Sequence, residues 1–209
     1  MELSILNMAG KETGKKVVLN DAIFGIEPNE HAIYLDVKQY LANNRQGTAK
    51  AKQRSENAHS TRKLGRQKGG GGARPGDFKS PVRVGGGTIF GPVPRNYAFK
   101  LNRKVKQLAR KSALSLRAKQ EQILVLDALT FEAPKTKAMV EVLNNLNVAG
   151  KKVTFIVSDA NTNAIKSAAN LQRVNVVSAN ELNTYTIMNS NVVVLTEASA
   201  AAIEATFNA

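Results

Sequence analysis

A stretch of 53 residues in the middle of this chain, positions 45–97, cannot bury a core of its own. It holds 11 of the 15 glycines and four of the six prolines. Leu, Ile, Val and Phe together contribute seven residues: Leu64, Phe78, Val82, Val84, Ile89, Phe90 and Val93. That apolar share lies below the roughly 20% at which a strongly charged segment stays unfolded by itself. No helical or alternating apolar period persists along it, and Gly69-Gly70-Gly71-Gly72 is unsuited to the interior of a helix or strand. A loop of this length inside a domain is uncommon and is either functional or disordered. Doubled back on itself, with about 26 residues each way at ~3.3 Å per residue, it would span at most ~85 Å. A long extended internal arm is the first structural expectation.

Charge says what would order such an arm. Residues 45–120 carry 20 Lys and Arg against two acids, Glu56 and Asp77, whereas 1–44 and 121–209 each have a net charge of −2 in a chain of net +14. An ordinary solvated surface mixes both signs; one intensely basic segment in an otherwise mildly acidic chain points to a polyanion. A membrane surface is the competing polyanion, but no stretch approaches the roughly 18 apolar residues of a span. Met1–Lys16 lacks a signal-peptide layout. The chain has no Cys, so disulfides and thiolate metal sites are excluded. A cytosolic, nucleic-acid-binding protein is expected, with no membrane partner.

Within the arm, Arg45, Lys50, Lys52, Arg54, Arg62, Lys63, Arg66, Lys68, Arg74, Lys79, Arg83 and Arg95 can neutralise phosphates, and its glycines let backbone approach RNA closely. Basic segments of this kind fold on binding RNA. Residues 98–120 read as a helix capped at Asn102. Leu101, Val105, Leu108, Ser112 and Leu116 form one packing stripe, with Ala109 and Ala113 beside it. Arg103, Lys106, Arg110 and Arg117 recur on another side, and Lys104 and Lys111 lie one heptad apart. Solvated helix faces are usually balanced by acids at i,i+4; none is available here, so this side is expected to face phosphate.

The flanks, 1–44 and 98–209, read as a single α/β domain interrupted by the arm. Leu3–Asn7 and Lys16–Asn20 suggest strands, and Asn29 can cap a helix with the stripe Ile33, Val37, Tyr40 and Leu41, fading at Asn43-Asn44. Ile123–Leu126, Val153–Val157, Val174–Val177 and Val192–Leu195 are short β-branched runs. Helices are expected at about 134–147, 161–171, 180–188 and 197–206 between and after them. That alternation predicts a mostly parallel sheet covered by helices.

An enzyme is the reading such a fold invites first. No phosphate-binding G-x-x-x-x-G-K-[ST] occurs, and the glycine runs at 69–72 and 85–87 lie in the arm rather than between a strand and a helix. His31, in the first turn of a helix, and His59, in the arm, are the two histidines, which leaves no zinc constellation. Asp127 and Asp159 follow apolar strands, where Asp is more often a turn former or helix cap. No catalytic residue, cofactor, metal or small-molecule substrate is expected.

Several ordered motifs then carry a resemblance. Arg45-Gln46-Gly47-Thr48 with Lys50, Lys52 and Arg54, then Arg66-Gln67-Lys68-Gly69 with Ala73-Arg74, are followed by Lys79-Ser80-Pro81 and Gly85-Gly86-Gly87. After these come Gly91-Pro92-Val93-Pro94-Arg95 and Ser112-Ala113-Leu114-Ser115. In order and spacing the set resembles the universal ribosomal large-subunit protein four family, bacterial type, over essentially the whole chain. The resemblance implies a structural constituent of the large ribosomal subunit that binds its ribosomal RNA early in assembly. The globular domain would lie on the outside of the subunit, against neighbouring ribosomal proteins. The arm would thread between RNA helices to the peptide exit tunnel, its tip meeting the nascent peptide at a constriction near the macrolide-binding region. Some bacterial members also repress their own operon through leader RNA, so a free regulator acting on messenger RNA is the alternative.

One departure stands out. Where the family commonly carries Pro-Trp-Arg-Gln-Lys-Gly-Thr-Gly-Arg-Ala-Arg, this chain reads Leu64-Gly65-Arg66-Gln67-Lys68-Gly69-Gly70-Gly71-Gly72-Ala73-Arg74. An aromatic position is Gly65 and a basic one is Gly72, so the expected tunnel tip, Gly65 to Arg74, lacks a stacking ring.

Overall fold

Two runs of uninterrupted β-branched and apolar residues set the centre of the sheet. Strand β4 (Val153–Val157, VTFIV) and strand β6 (Val192–Thr196, VVVLT) are buried along their whole length, as parallel strands covered on both faces must be. In the computed structural model, which describes residues 1–158 and 161–208, they lie side by side in a six-stranded sheet of order β2-β1-β3-β6-β4-β5. The remaining strands are β1 (Glu2–Leu6), β2 (Glu12–Val18), β3 (Ile123–Leu126) and β5 (Val174–Ser178). All neighbours are parallel except β1 and β2, which form an antiparallel hairpin. The expected mostly parallel α/β fold is therefore borne out. Edge strand β2, sequence ETGKKVV, is almost wholly exposed; its lysines discourage edge-to-edge pairing.

Alternation along the strands builds two cores. Ile156, Val193 and Leu195 face one side, with α1 (Asp21–Phe24), α2 (Glu30–Asn43), α3 (Arg103–Lys119), α6 (Thr184–Asn189) and α7 (Glu197–Asn208). Val153, Phe155, Val157, Val192 and Val194 face the other, with α4 (Thr136–Asn145) and α5 (Thr162–Ala168). Ser112 and Ser115, fully buried on α3, tie that helix to its neighbours. Ser112 Oγ accepts from the Asn29 N–H at 3.1 Å, and Ser115 Oγ donates to the Ile23 carbonyl at 2.9 Å.

Several local expectations need correction. Leu108, placed in the α3 packing stripe, is exposed, while Leu114 and Ala118 are buried in the core: the helix is wetted at its first turns and surrounded at its last ones. Asn102 takes the N-cap position but its side chain makes no capping bond. Asn29 does cap α2, accepting from the Ala32 N–H at 2.9 Å, yet Tyr40 and Leu41 of that helix are exposed. Tyr40 instead stacks on Tyr185, with ring centroids 4.6 Å apart. The helix expected over 180–188 begins at Thr184, because Asn183 caps there, accepting from the Thr186 N–H at 2.8 Å. His31 is exposed, in the first turn of α2. Among the described residues no helix is long and apolar enough to cross a membrane.

The chain divides into two compact units, Met1–Leu41 with Lys100–Ala209, and Ala42–Phe99. Past the last residues of α2, the second has one short 3-10 turn, Arg54–Glu56, and otherwise no regular element among the described residues.

Candidate nucleic-acid interface

The unit Ala42–Phe99 is a doubled-back chain held by a few widely spaced backbone hydrogen bonds. The Phe99 N–H donates to Asn43 Oδ1 at 3.3 Å. Farther along, the Arg95 N–H donates to Gly47 O (3.1 Å), Ala51 N–H to Pro92 O (3.1 Å), Thr88 N–H to Lys52 O (2.9 Å) and Leu64 N–H to Gly76 O (3.1 Å). The partners converge on the glycine run 69–72, which makes that run the turning point. Gly47 is required at its position: φ is +66°, and a β-carbon would lie 2.1 Å from the Arg95 carbonyl oxygen. Beyond the Leu64–Gly76 bond, residues 65–75 curl around an open hollow of 620 Å³. Gly65, where the related motif has an aromatic, rests on Pro75; a β-carbon would stand 3.3 Å from its Cγ.

The two acids of this unit are consumed inside it. Lys50 Nζ pairs with Glu56 at 2.6 Å, and Arg54 Nη2 with Asp77 at 3.0 Å. Asp77 is 5% exposed, and its Oδ1 has no hydrogen-bond partner among the described residues. The Arg54 guanidinium holds the Asp77 carboxyl below its usual value, outweighing burial, and the Lys50 ammonium does the same for Glu56. Tyr97 supplies a platform that sequence reasoning missed, although an Arg-x-Tyr spacing is visible at 95–97. The guanidinium carbons of Arg45 and Arg95 lie 3.9 Å and 4.5 Å from its ring centroid, within cation–π range. Hydrogen bonding to Arg95 lowers the pKa of its phenol.

The other cations are presented to solvent. Arg74 Nε donates to Gln67 O at 3.2 Å, Lys63 Nζ bonds Gln67 Oε1, and Arg83 lies 6.0 Å from the Phe78 ring. Gln46 and Thr48 are exposed. Lys52, Arg62, Arg66, Lys68 and Lys79 have no side-chain hydrogen bond or ion pair among the described residues. His59 is exposed, its ring 6.3 Å from Phe78. Cations fixed by their own scaffold, beside others free to swing, suit a ligand with many phosphates.

On α3 the basic residues separate. Arg103 is exposed, and Lys106 and Arg110 are half-buried, with no acidic partner among the described residues. Arg117, expected on the same phosphate-facing side, is a structural residue. Its Nε donates to Ile187 O at 3.3 Å, Nη2 to Met188 O at 2.8 Å and Nη1 to Gln122 Oε1. It thereby satisfies carbonyls near the end of α6 that the helix itself leaves open. Partial burial lowers its pKa. Lys111 Nζ lies 5.4 Å from the Phe207 ring.

The crevice beyond the carboxyl ends of the parallel strands, where α/β enzymes bind substrates, offers little chemistry. It encloses 190 Å³ and is lined by Asp127 and otherwise by uncharged residues such as Thr130, Ser158, Asn161 and Thr196. Asp159 lies outside the described residues. No three His, Asp or Glu side chains gather among the described residues.

Fold and site together define a class: an α/β protein that carries a polycationic hairpin arm. The profile of the Ribosomal protein L4/L1 family matches residues 17–206, and the chain belongs to that family, one of structural proteins rather than enzymes. It is similar to the large ribosomal subunit protein uL4 of Parabacteroides distasonis, 60% identical over 209 residues and the full length of both chains. The proteins of the same name from Phocaeicola vulgatus (59% over 204 residues, 98% of each) and Cytophaga hutchinsonii (56% over 208 residues, 100% of each) are comparably similar.

Proposed function

We propose that this chain is a structural constituent of the large ribosomal subunit, in the cytoplasm. It binds large-subunit ribosomal RNA through residues 45–97, an arm inserted in one α/β domain, and through Arg103, Lys106 and Arg110 of α3. The observation that carries the reading is the internal consumption of both arm acids by Lys50 and Arg54. The remaining cations are left for an external polyanion. The names of its relatives supply the setting. In that setting the protein is a charge-neutralising clamp that helps the RNA fold during assembly, beside neighbouring ribosomal proteins. The tip, Gly65 to Arg74, lines the peptide exit tunnel and meets the nascent chain there. Five of the residues around its hollow are glycines, which suits a passage that must stay open.

Quantifying this chain in purified large subunits tests the reading. A constituent is stoichiometric and remains through a high-salt wash. A chain that washes off, while still binding messenger RNA, is instead a free RNA-binding regulator, including of its own operon.

A further inference from the structure

Between two of the backbone bonds that close the arm, its two runs are of unequal length. Thr88 N–H is bonded to Lys52 O and Ala51 N–H to Pro92 O. The single peptide link from Ala51 to Lys52 therefore faces three residues, Ile89, Phe90 and Gly91. Surplus residues opposite a shorter partner are extruded, as in a bulge. Gly91 is pressed back onto the outgoing run: a β-carbon there would lie 2.8 Å from Ala51 Cβ. Phe90 is thrown outward. Its φ is +53°, a left-handed conformation disfavoured for a bulky residue. Its side chain is fully exposed, and Ile89 beside it is largely so.

The other rings of the arm are engaged. Phe78 lies near His59 and Arg83, Tyr97 carries Arg45 and Arg95, and Phe99 has a partner. Among the described residues Phe90 touches no ring or cation. A residue both strained and bare marks a place where a partner supplies what the fold withholds.

We infer that Phe90, supported by Ile89, is a stacking wedge for an unpaired base of the RNA bound by the arm. Charge complementarity selects this occupant. An apolar protein surface would meet Phe90 amid the arm's uncompensated cations, whereas an unpaired nucleotide brings a flat π face and a phosphate together. Aromatic stacking on splayed-out bases is the usual way proteins hold single-stranded RNA. The inference rests on the RNA reading above and adds a residue and a contact to it.

The chain contains no Trp, so F90W makes the wedge its own sole indole reporter. Deproteinised large-subunit ribosomal RNA is titrated into that variant, with binding followed in parallel by filter retention. Stacking predicts indole quenching that saturates together with binding. F90A and F90L should each lose roughly five- to one-hundred-fold in affinity, while F90Y stays near wild type. The salt dependence should not change in any of them, since no charge is removed. Tight binding with an unquenched indole, or F90L binding as well as F90Y, overturns the wedge and leaves the RNA reading standing. If wild-type protein does not retain the RNA at all, the RNA reading falls and the wedge with it. The Leu and Tyr comparison decides the matter even if F90W folds poorly.

Discussion

Arg103, Lys106, Arg110 and Arg117 recur along one helix, yet only Arg117 is bonded to carbonyls, and paired variants separate that role from the RNA contact proposed for the other three. The first variant changes Arg103, Lys106 and Arg110 together to Gln. None has an acidic partner among the described residues, so each can release counterions from RNA. Each phosphate contact contributes a log–log salt slope of about −0.7 to −0.9 for simple nucleic acids. Losing three should flatten the slope by about 2 to 3. Over a fourfold rise in salt, the variant's affinity deficit should shrink by about 20- to 40-fold. The second variant is Arg117→Ala. Its guanidinium donates to Ile187 O, Met188 O and Gln122 Oε1, so removal strands Met188 O and Gln122 Oε1, partly shielded from water, while Ile187 O keeps the Ser190 hydroxyl. An unsatisfied buried group costs about 1–3 kcal/mol; with half-exposure discounting the sum, we expect about 2 kcal/mol. That corresponds to a fall in Tm of about 4–8 °C for a protein of this size, with an unchanged salt slope. Filter binding to large-subunit ribosomal RNA across the salt series, with circular dichroism melts of the free proteins, reads both. A slope flattened by Arg117→Ala at constant Tm, or a triple variant that melts early and keeps its slope, would refute the division.

Three further outcomes are expected. The Arg54–Asp77 pair, with the Asp77 carboxyl held below 3.8, should stabilise the arm fully above that ordinary carboxylate value and lose its effect as pH falls through the lowered one. Peptic cleavage within the arm should accelerate as pH falls through that lowered value and stay fast below it, and D77N, which lacks the titrating carboxylate, should be cleaved fast already at the upper end of that range. Gly47→Ala should speed tryptic cleavage at Arg54 and Arg62, since the left-handed backbone alone costs a β-carbon about 1–2 kcal/mol; Gly70→Ala, with open space around it, should behave as wild type, and equal rates would refute the pinning. Deleting residues 64–74 removes three of the 20 basic residues of 45–120, Arg66, Lys68 and Arg74, so it should still permit incorporation into large subunits while altering macrolide inhibition of translation. Deleting 45–54 with 91–95 should impair assembly itself, measured on gradients of cells carrying each variant as the only copy.

The elements legible in the sequence are those whose signal is local and dense. Strands β3 and β4 have the bounds their β-branched runs predict, 123–126 and 153–157. Alternation of such runs with helical periods was enough for the α/β class. What escaped depends on meetings between distant residues. Leu108 and Leu114 are chemically alike, and only the packing of neighbouring helices decides that one is wetted and the other enclosed. Arg117 and Arg110 share a periodicity, but only Arg117 meets open carbonyls near the end of α6. Within the arm, Glu56 and Asp77 stood out as the two acids, while their pairing with Lys50 and Arg54 follows from a hairpin register that no periodic pattern encodes. Phe90 was visible as an apolar residue in a charged run; its extrusion depends on which carbonyl receives the Thr88 and Ala51 N–H groups.

The bond between Phe99 N and Asn43 Oδ1 closes the arm at its root, and its consequence concerns how such arms change over generations. Once the two ends of an insertion are joined, the entropy of closing it grows only with the logarithm of its length. Doubling the number of residues adds about 0.6 kcal/mol. Residues gained or lost beyond the root leave the sheet's own stability almost untouched. Lengthening or trimming this segment is therefore nearly neutral for folding, and its dimensions are left to be selected by what its far end must reach.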